Sequence, residues 1–223
     1  SRTDGRLMLF ADMEKAFEEN SPDSLIGKGL ILEHLHPNSR GAFVLAKEYA
    51  RTMREYHLFA TDQAWQARDT VGDELLWRER SVTGLDEIIA RRRTDVLTAG
   101  WPFKNQIATV DAVPKSDTLR LIGERLITRT MSWPQAHSAA ASYYSSKGEY
   151  ENAIREYRVI VNQLPFLDIQ YYLRLAELLL AERKTDEFAD VLRASLDLKP
   201  TISAYRALGD VALNEGKPVE AVG

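Results

Sequence analysis

The sequence predicts a mostly α-helical chain whose last third is a stack of short helical hairpins. Apolar residues recur at spacings of three and four along most of its length, the period of an amphipathic helix. From Trp133 onward the sequence repeats itself, and Pro165 and Pro200, each closing an amphipathic stretch, stand 35 residues apart. Gly, Pro, Asn and Asp punctuate the periodic segments at intervals that suit short loops.

Residues 1–58 form the first region. Leu7 to Asp12 is a short apolar run ending in Asp and fits a buried strand better than a helix. Met13 to Glu19 reads as a short helix, and Asn20-Ser21-Pro22-Asp23 and Gly27-Lys28-Gly29 as loops. Leu30-Ile31-Leu32 is a second apolar run, broken by His36-Pro37-Asn38. Phe43, Ala46, Ala50 and Met53 then mark a helix from Ala42 to Tyr56. Residues 59–132 read as a helical linker region. It offers short helices at Asp62 to Arg68 and Asp73 to Glu79, and a longer one from Leu85 to about Thr98. Gly100-Trp101-Pro102-Phe103 interrupts the pattern, because proline restricts the residue before it. Ser116 or Asp117 can cap a further helix through Leu126.

In residues 133–223 the repeat takes over. Gly148-Glu149-Tyr150 is followed by Ala153, Tyr157 and Pro165; Leu175-Ala176 by Phe188, Leu192 and Pro200; Leu208-Gly209 by Gly216 and Ala221. Helix pairs are expected at 134–147/150–164 and 168–182/185–198, with a third helix beginning near Ile202. Small residues at Ala141, Ala176 and Gly209 on the first helix of each pair, and Ala153 and Ala221 on the second, permit close approach. Tyr144, Tyr157, Leu179 and Leu192 fill the space between. Gly148 and Gly216 supply turns that need positive φ, and the prolines stop the second helix. Phe188 stands where a small residue is usual, which would splay the second hairpin. One hairpin cannot bury its own apolar face, so stacking is required. The pattern resembles the tetratricopeptide repeat, whose period is about 34. The resemblance implies an α-α superhelix of about two complete repeats and a truncated third, presenting a concave face to a protein or peptide. Arg174 and Arg206, on the first helices of the second and third pairs, are the candidate partner-binding residues.

Composition narrows the function. With 44% apolar and 28% charged residues the chain can bury a core. The net charge of −4 gives no sign of nucleic-acid binding, and the one basic run, Arg91-Arg92-Arg93, lies in a helical pattern as a solvated face. There is no cysteine, which excludes disulfides and thiolate chemistry. No apolar run nears the ~20 residues that span a bilayer, and no signal peptide is read. No cofactor and no metal are expected. The chain starts without methionine and stops inside a repeat, so a piece of a longer protein is expected.

Glu33-His34-Leu35-His36-Pro37-Asn38 holds two of the four histidines. Three readings are open. The histidines can be loop residues with local hydrogen bonds. Glu33, His34 and His36 can ligate a metal, although no further Cys/His cluster accompanies them. Or Glu33 can hold His36 in one tautomer as the acid–base pair of a nucleophilic mechanism, with His34 pointing elsewhere.

Leu30 to Asn38, followed by Gly41 opening a helix, resembles the final sequence block of SGNH (GDSL-type) hydrolases, Asp-x-x-His before a helix, with Glu33 in place of the usual Asp. The Leu7-to-Asp12 run and the helix after it look like that family's closing elements. More narrowly, the chain resembles bacterial proteins that join such a domain to a helical linker and tetratricopeptide repeats. The resemblance implies that residues 1–58 are the residual C-terminal α/β segment of the hydrolase domain. It further implies that His36 is the general base of an ester or acyl hydrolase in the longer protein, and that this parent is membrane-anchored and extracytoplasmic. The family's nucleophile and oxyanion blocks lie upstream and have no match here. Ser24, in Pro22-Asp23-Ser24-Leu25, mimics the family's serine signature but lies only twelve residues before His36. The chain by itself is therefore expected to be a non-catalytic interaction scaffold. The alternative is the hydrolase role in the parent. Residues 1–40 would be disordered, paired with another copy, or docked on the helices, since a lone strand leaves its backbone groups unpaired.

Overall fold

A computed structural model of the chain describes residues 9–105, 113, 114, 116–214 and 216. Among these the chain is mostly helical, with eleven α-helices and no strand. It divides into two compact units, Ser1–Arg80 with Arg91–Val110, and Ser81–Ala90 with Asp111–Gly223.

In the first unit, α1 (Met13–Glu19) begins at Asp12, whose carboxylate accepts the Lys15 backbone N–H at 3.0 Å. The strand expected from Leu7 to Asp12 is absent over its described part. Residues 9–12 lie outside any regular element, with Phe10 exposed, and Leu7 and Met8 lie outside the described residues. The reason is local: Asp12 spends its side chain on the helix cap, and among the described residues no strand offers a ladder.

α2 (Ser39–Glu55) carries the core of this unit. Ala16 and Phe17 of α1 and Leu30 of the following loop bury themselves against Val44. Asn38 fixes the junction with both ends of its amide. Its oxygen accepts the N–H groups of Arg40 (2.9 Å) and Gly41 (3.0 Å), and its nitrogen donates to the carbonyls of Lys28 (3.1 Å) and Gly29 (3.0 Å). Gly41 is required by packing, since a Cβ there would stand 2.1 Å from the Leu30 carbonyl oxygen. The described residues before α2 are thus docked on helices. The short α3 (Asp62–Arg68) and α4 (Asp73–Arg78) bury no residue. They are tied to α2 by the surface pairs Lys47–Asp73 and Arg54–Asp69, each worth little in water.

The second unit takes α5 (Gly84–Leu97) as far as Ala90, then α6 (Thr118–Ile127), α7 (Trp133–Ser146), α8 (Tyr150–Gln163), α9 (Ile169–Ala181), α10 (Thr185–Leu198) and α11 (Ile202–Asn214). From α6 onward each helix packs chiefly on its neighbours in sequence. Asp117 and Asp168 cap α6 and α9, and Gln135 accepts from Ser132 at the start of α7. Ala141, Tyr144, Ala153 and Tyr157 are buried between α7 and α8, and Ala176, Leu179, Phe188 and Leu192 between α9 and α10. Tyr144, Ala153 and Tyr157 recur 35 positions on as Leu179, Phe188 and Leu192. Two leucines replace two tyrosines, and phenylalanine replaces alanine, so the bulk of the second hairpin is redistributed at a similar total. The turn after α7 uses Gly148 at φ 74° and that after α9 uses Arg183 at φ 58°, the same place 35 residues later. Gly216 has φ 73°, while Ala221 lies outside the described residues.

Candidate functional site

The loop from Ile31 to Pro37 folds on itself. Leu32 N–H donates to the His36 carbonyl and Asn38 N–H to the Leu30 carbonyl, each at 2.8 Å. Glu33 sits inside the turn with its side chain only 2% exposed. Its carboxylate accepts the backbone N–H groups of His34, Leu35 (2.7 Å) and His36 (3.2 Å), and it meets the His36 imidazole at Nδ1. Withdrawal from bulk water opposes the charge, but the His36 bond and the three backbone bonds outweigh it, and the carboxyl pKa falls to about 2. His36 is left with Nε2 facing outward. His34 differs from the expectation that it has separate partners: its Nδ1 lies 2.7 Å from the same carboxylate, and its ring meets Phe103 edge-on at 4.9 Å. Adjacent residues on an extended strand point apart, but this loop curls round Glu33 and brings both imidazoles to it.

The loop brings Glu33 and His36 into contact. Ser24 is exposed in the turn Pro22–Ser24 at φ 56° and shares no hydrogen bond with His36. Among the described residues no group of three His, Cys, Asp or Glu side chains is placed to hold a metal ion.

In the second unit a cleft of about 590 Å³ runs between α7 and α9. Ser138, Ser142 and Ser145 share one face of α7, and Gln170, Tyr171, Arg174, Glu177 and Leu178 one face of α9, with Tyr157 of α8 at the floor. Arg174 therefore lines a concavity, where it is paired with Glu177 at 2.8 Å. Arg206 is exposed on α11 and does not line this cleft. Tyr157 reaches Ser138 at 3.3 Å, and burial is the main cause of an upward shift of the Tyr171 phenol, which stays neutral.

A third constellation was not anticipated. His137 of α7 is fully buried, with Nδ1 2.5 Å from the equally buried Glu156 of α8 and Nε2 3.5 Å from Asp86 of α5. The Trp133 ring lies 4.2 Å away. The second contact is an ion pair without hydrogen-bond alignment. Thr83 N–H (2.9 Å) and hydroxyl (3.1 Å) hold the other Asp86 oxygen, and Leu85 N–H points at Glu156 from 3.4 Å. Burial disfavours a charged imidazole, but the two carboxylates prevail and raise its pKa to about 9. Burial likewise works against the Asp86 carboxylate and is outweighed by His137 and Thr83, so its pKa is lowered. Arg155 donates to the Val82 carbonyl at 2.8 Å, and Gly84 leaves room that a Cβ, 2.7 Å from the Tyr144 hydroxyl, would fill. Fully enclosed, His137 cannot exchange protons with a substrate; the cluster fastens residues 81–90 to the first hairpin. A sequence signal for it exists. His137 falls in the buried register of Ala140, Ala141 and Tyr144, and Glu156 in that of Ala153, Tyr157 and Ile160, so each is a charged interruption of an apolar stripe.

Comparison with known protein families, with characterised proteins and with solved structures found no match to this chain.

Proposed function

We propose that this chain is a scaffold of tetratricopeptide type that holds an extended segment of a partner protein in the α7–α9 cleft. The observation that carries this is the cleft itself, lined by the first helices of two successive hairpins whose sequences correspond at an offset of 35 residues. Of the lining side chains, Ser142, Gln170, Arg174 and Glu177 are exposed. No helix among the described residues is long and apolar enough to cross a membrane. The test is selection of binders from a random-peptide library on the immobilised chain, followed by Ser142→Trp, which fills the cleft from an exposed position. Selected peptides should lose binding to Ser142→Trp and keep it to Arg193→Ala, a change at an exposed residue that does not line the cleft. Peptides that ignore Ser142→Trp would remove the cleft as the binding site.

A second reading concerns a longer protein of SGNH type, in which His36 is the general base oriented by Glu33. The Glu33–His36 contact through Nδ1 favours it, because that arrangement leaves Nε2 to receive a proton. The chain alone should not hydrolyse p-nitrophenyl acetate faster than its His36→Ala variant. Turnover abolished by Ser24→Ala would overturn this assignment of parts.

A further inference from the structure

Resting on the cleft reading, we infer that the occupant is an uncharged polar stretch of extended chain and not an acidic tail. Among the described residues Arg174 is the one cationic side chain lining the cleft, and Glu177, three residues on along the same helix face, already neutralises it at 2.8 Å. Arg174 contributes +1 and Glu177 −1, so the charged lining sums to zero. A carboxylate entering beside Arg174 would have to displace Glu177 and would face its charge, which is repulsion against the wrong ligand. What remains is suited to backbone amides. Ser138, Ser142 and Ser145 follow one another at spacings of four and three, and Gln170 and Tyr171 stand opposite. The Ser142 hydroxyl donates to the Ser138 carbonyl at 2.9 Å and the Ser138 and Tyr157 hydroxyls share a bond at 3.3 Å, which leaves hydroxyl lone pairs to accept, while the Gln170 amide can both donate and accept. An extended peptide offers both functions alternately, at about 3.3 Å per residue. The serines are short, so the space between the helices is left for the ligand rather than filled by the wall.

The experiment is the same library selection, read for composition and repeated on Glu177→Gln. That variant keeps the shape, removes the charge that faces Arg174, and changes a side chain that is 63% exposed. Peptides recovered on the wild-type chain should be depleted in Asp and Glu. A fluorescein-labelled peptide ending in consecutive aspartates should bind Glu177→Gln about tenfold or more tighter than wild type, and Arg174→Ala in the same background should abolish the gain. Acidic peptides selected by the wild-type chain, lost with both Ser142→Trp and Arg174→Ala, would overturn this inference and leave the scaffold reading standing. Selected peptides indifferent to Ser142→Trp would overturn both, and a second copy of the chain as occupant would show as self-association lost in that variant.

Discussion

Of the carboxylate–imidazole pairs that meet through Nδ1 in this protein, Glu33–His36 and Glu156–His137 differ in almost everything else. Glu33 and His36 are three residues apart on one loop, and the His36 side chain is 64% exposed. Glu156 and His137 are nineteen residues apart on two helices, both shut away from water, with Asp86 from a third element closing the other side. The loop pair is wired to its own backbone: Glu33 serves three amides of the turn whether or not the imidazole is present. Besides the imidazole, the buried Glu156 has only the Leu85 N–H, at 3.4 Å, as a hydrogen-bond donor among the described residues. Remove the imidazole and Glu156 and Asp86 both lose the cation they are paired with. The difference teaches that a short Glu-to-His spacing in sequence marks a local turn, whereas the cluster that holds chain segments together is spread over 70 positions, from Asp86 to Glu156.

The largest test of this contrast is deletion of each imidazole. His137→Ala should cost about 3–5 kcal/mol, the usual effect of breaking a buried ion pair from one side. His36→Ala should leave the denaturant midpoint close to that of the wild type. Similar losses for the two variants would erase the distinction drawn here.

Acidity provides the next. The folded pKa of His137, about 9, lies above its ordinary 6.5, so its contribution is fully present below pH 6.5 and is lost as pH rises through 9. The shift corresponds to about 3 kcal/mol. Asp86 acts in the opposite sense. With its pKa lowered, it stabilises above the ordinary carboxylate range and loses that contribution on acidification. Urea unfolding at pH 6.5 and above pH 9 should show the wild-type chain weakening and His137→Gln nearly flat. An equal slope in both would place the pH dependence elsewhere.

Between these in kind, and smaller, is Gly41→Ala. Its Cβ would meet the Leu30 carbonyl at 2.1 Å, and such overpacking costs about 1–3 kcal/mol. If the loop owes its place to Asn38 and Gly41 rather than to the imidazoles, this variant should unseat it while His34→Ala and His36→Ala do not. Hydrogen exchange over residues 28–38 reads the outcome.

Much of this was legible. Met13–Glu19, Asp62–Arg68 and the hairpin helices α7–α10 fall at or close to the places read from periodicity, because caps such as Asp117 and breakers such as Pro165 and Pro200 carry their signals locally. The Asn38 and Gly41 positions were read as part of a hydrolase-like block, and the structure gives each a packing duty of its own. What stayed hidden depends on distance or on context. Asp86, Glu156 and His137 each look ordinary until three segments converge. Arg183 takes the positive-φ turn position that Gly148 and Gly216 advertise, and nothing in an arginine announces it. Arg174 was visible as a candidate, but its neutralisation by Glu177 is a matter of rotamers.

The smallest effect is also the most local. The Glu33 carboxyl pKa, about 2 against an ordinary 4.5, means that the loop's hydrogen bonds stabilise it above 4.5 and are lost as pH falls through 2. Because the bonds come from the backbone N–H groups of His34, Leu35 and His36, their amide proton shifts should titrate together, with a midpoint near 2. His36→Ala removes the largest of the lowering contributions and should move that midpoint upward, yet not to 4.5, since the backbone donors remain. Glu33→Gln should abolish the titration and speed exchange of those three amides without moving the global melt. A wild-type midpoint at the ordinary 4.5 would mean that the turn does not grip its carboxylate, and the reading of Glu33 as an organiser of the loop would fail with it.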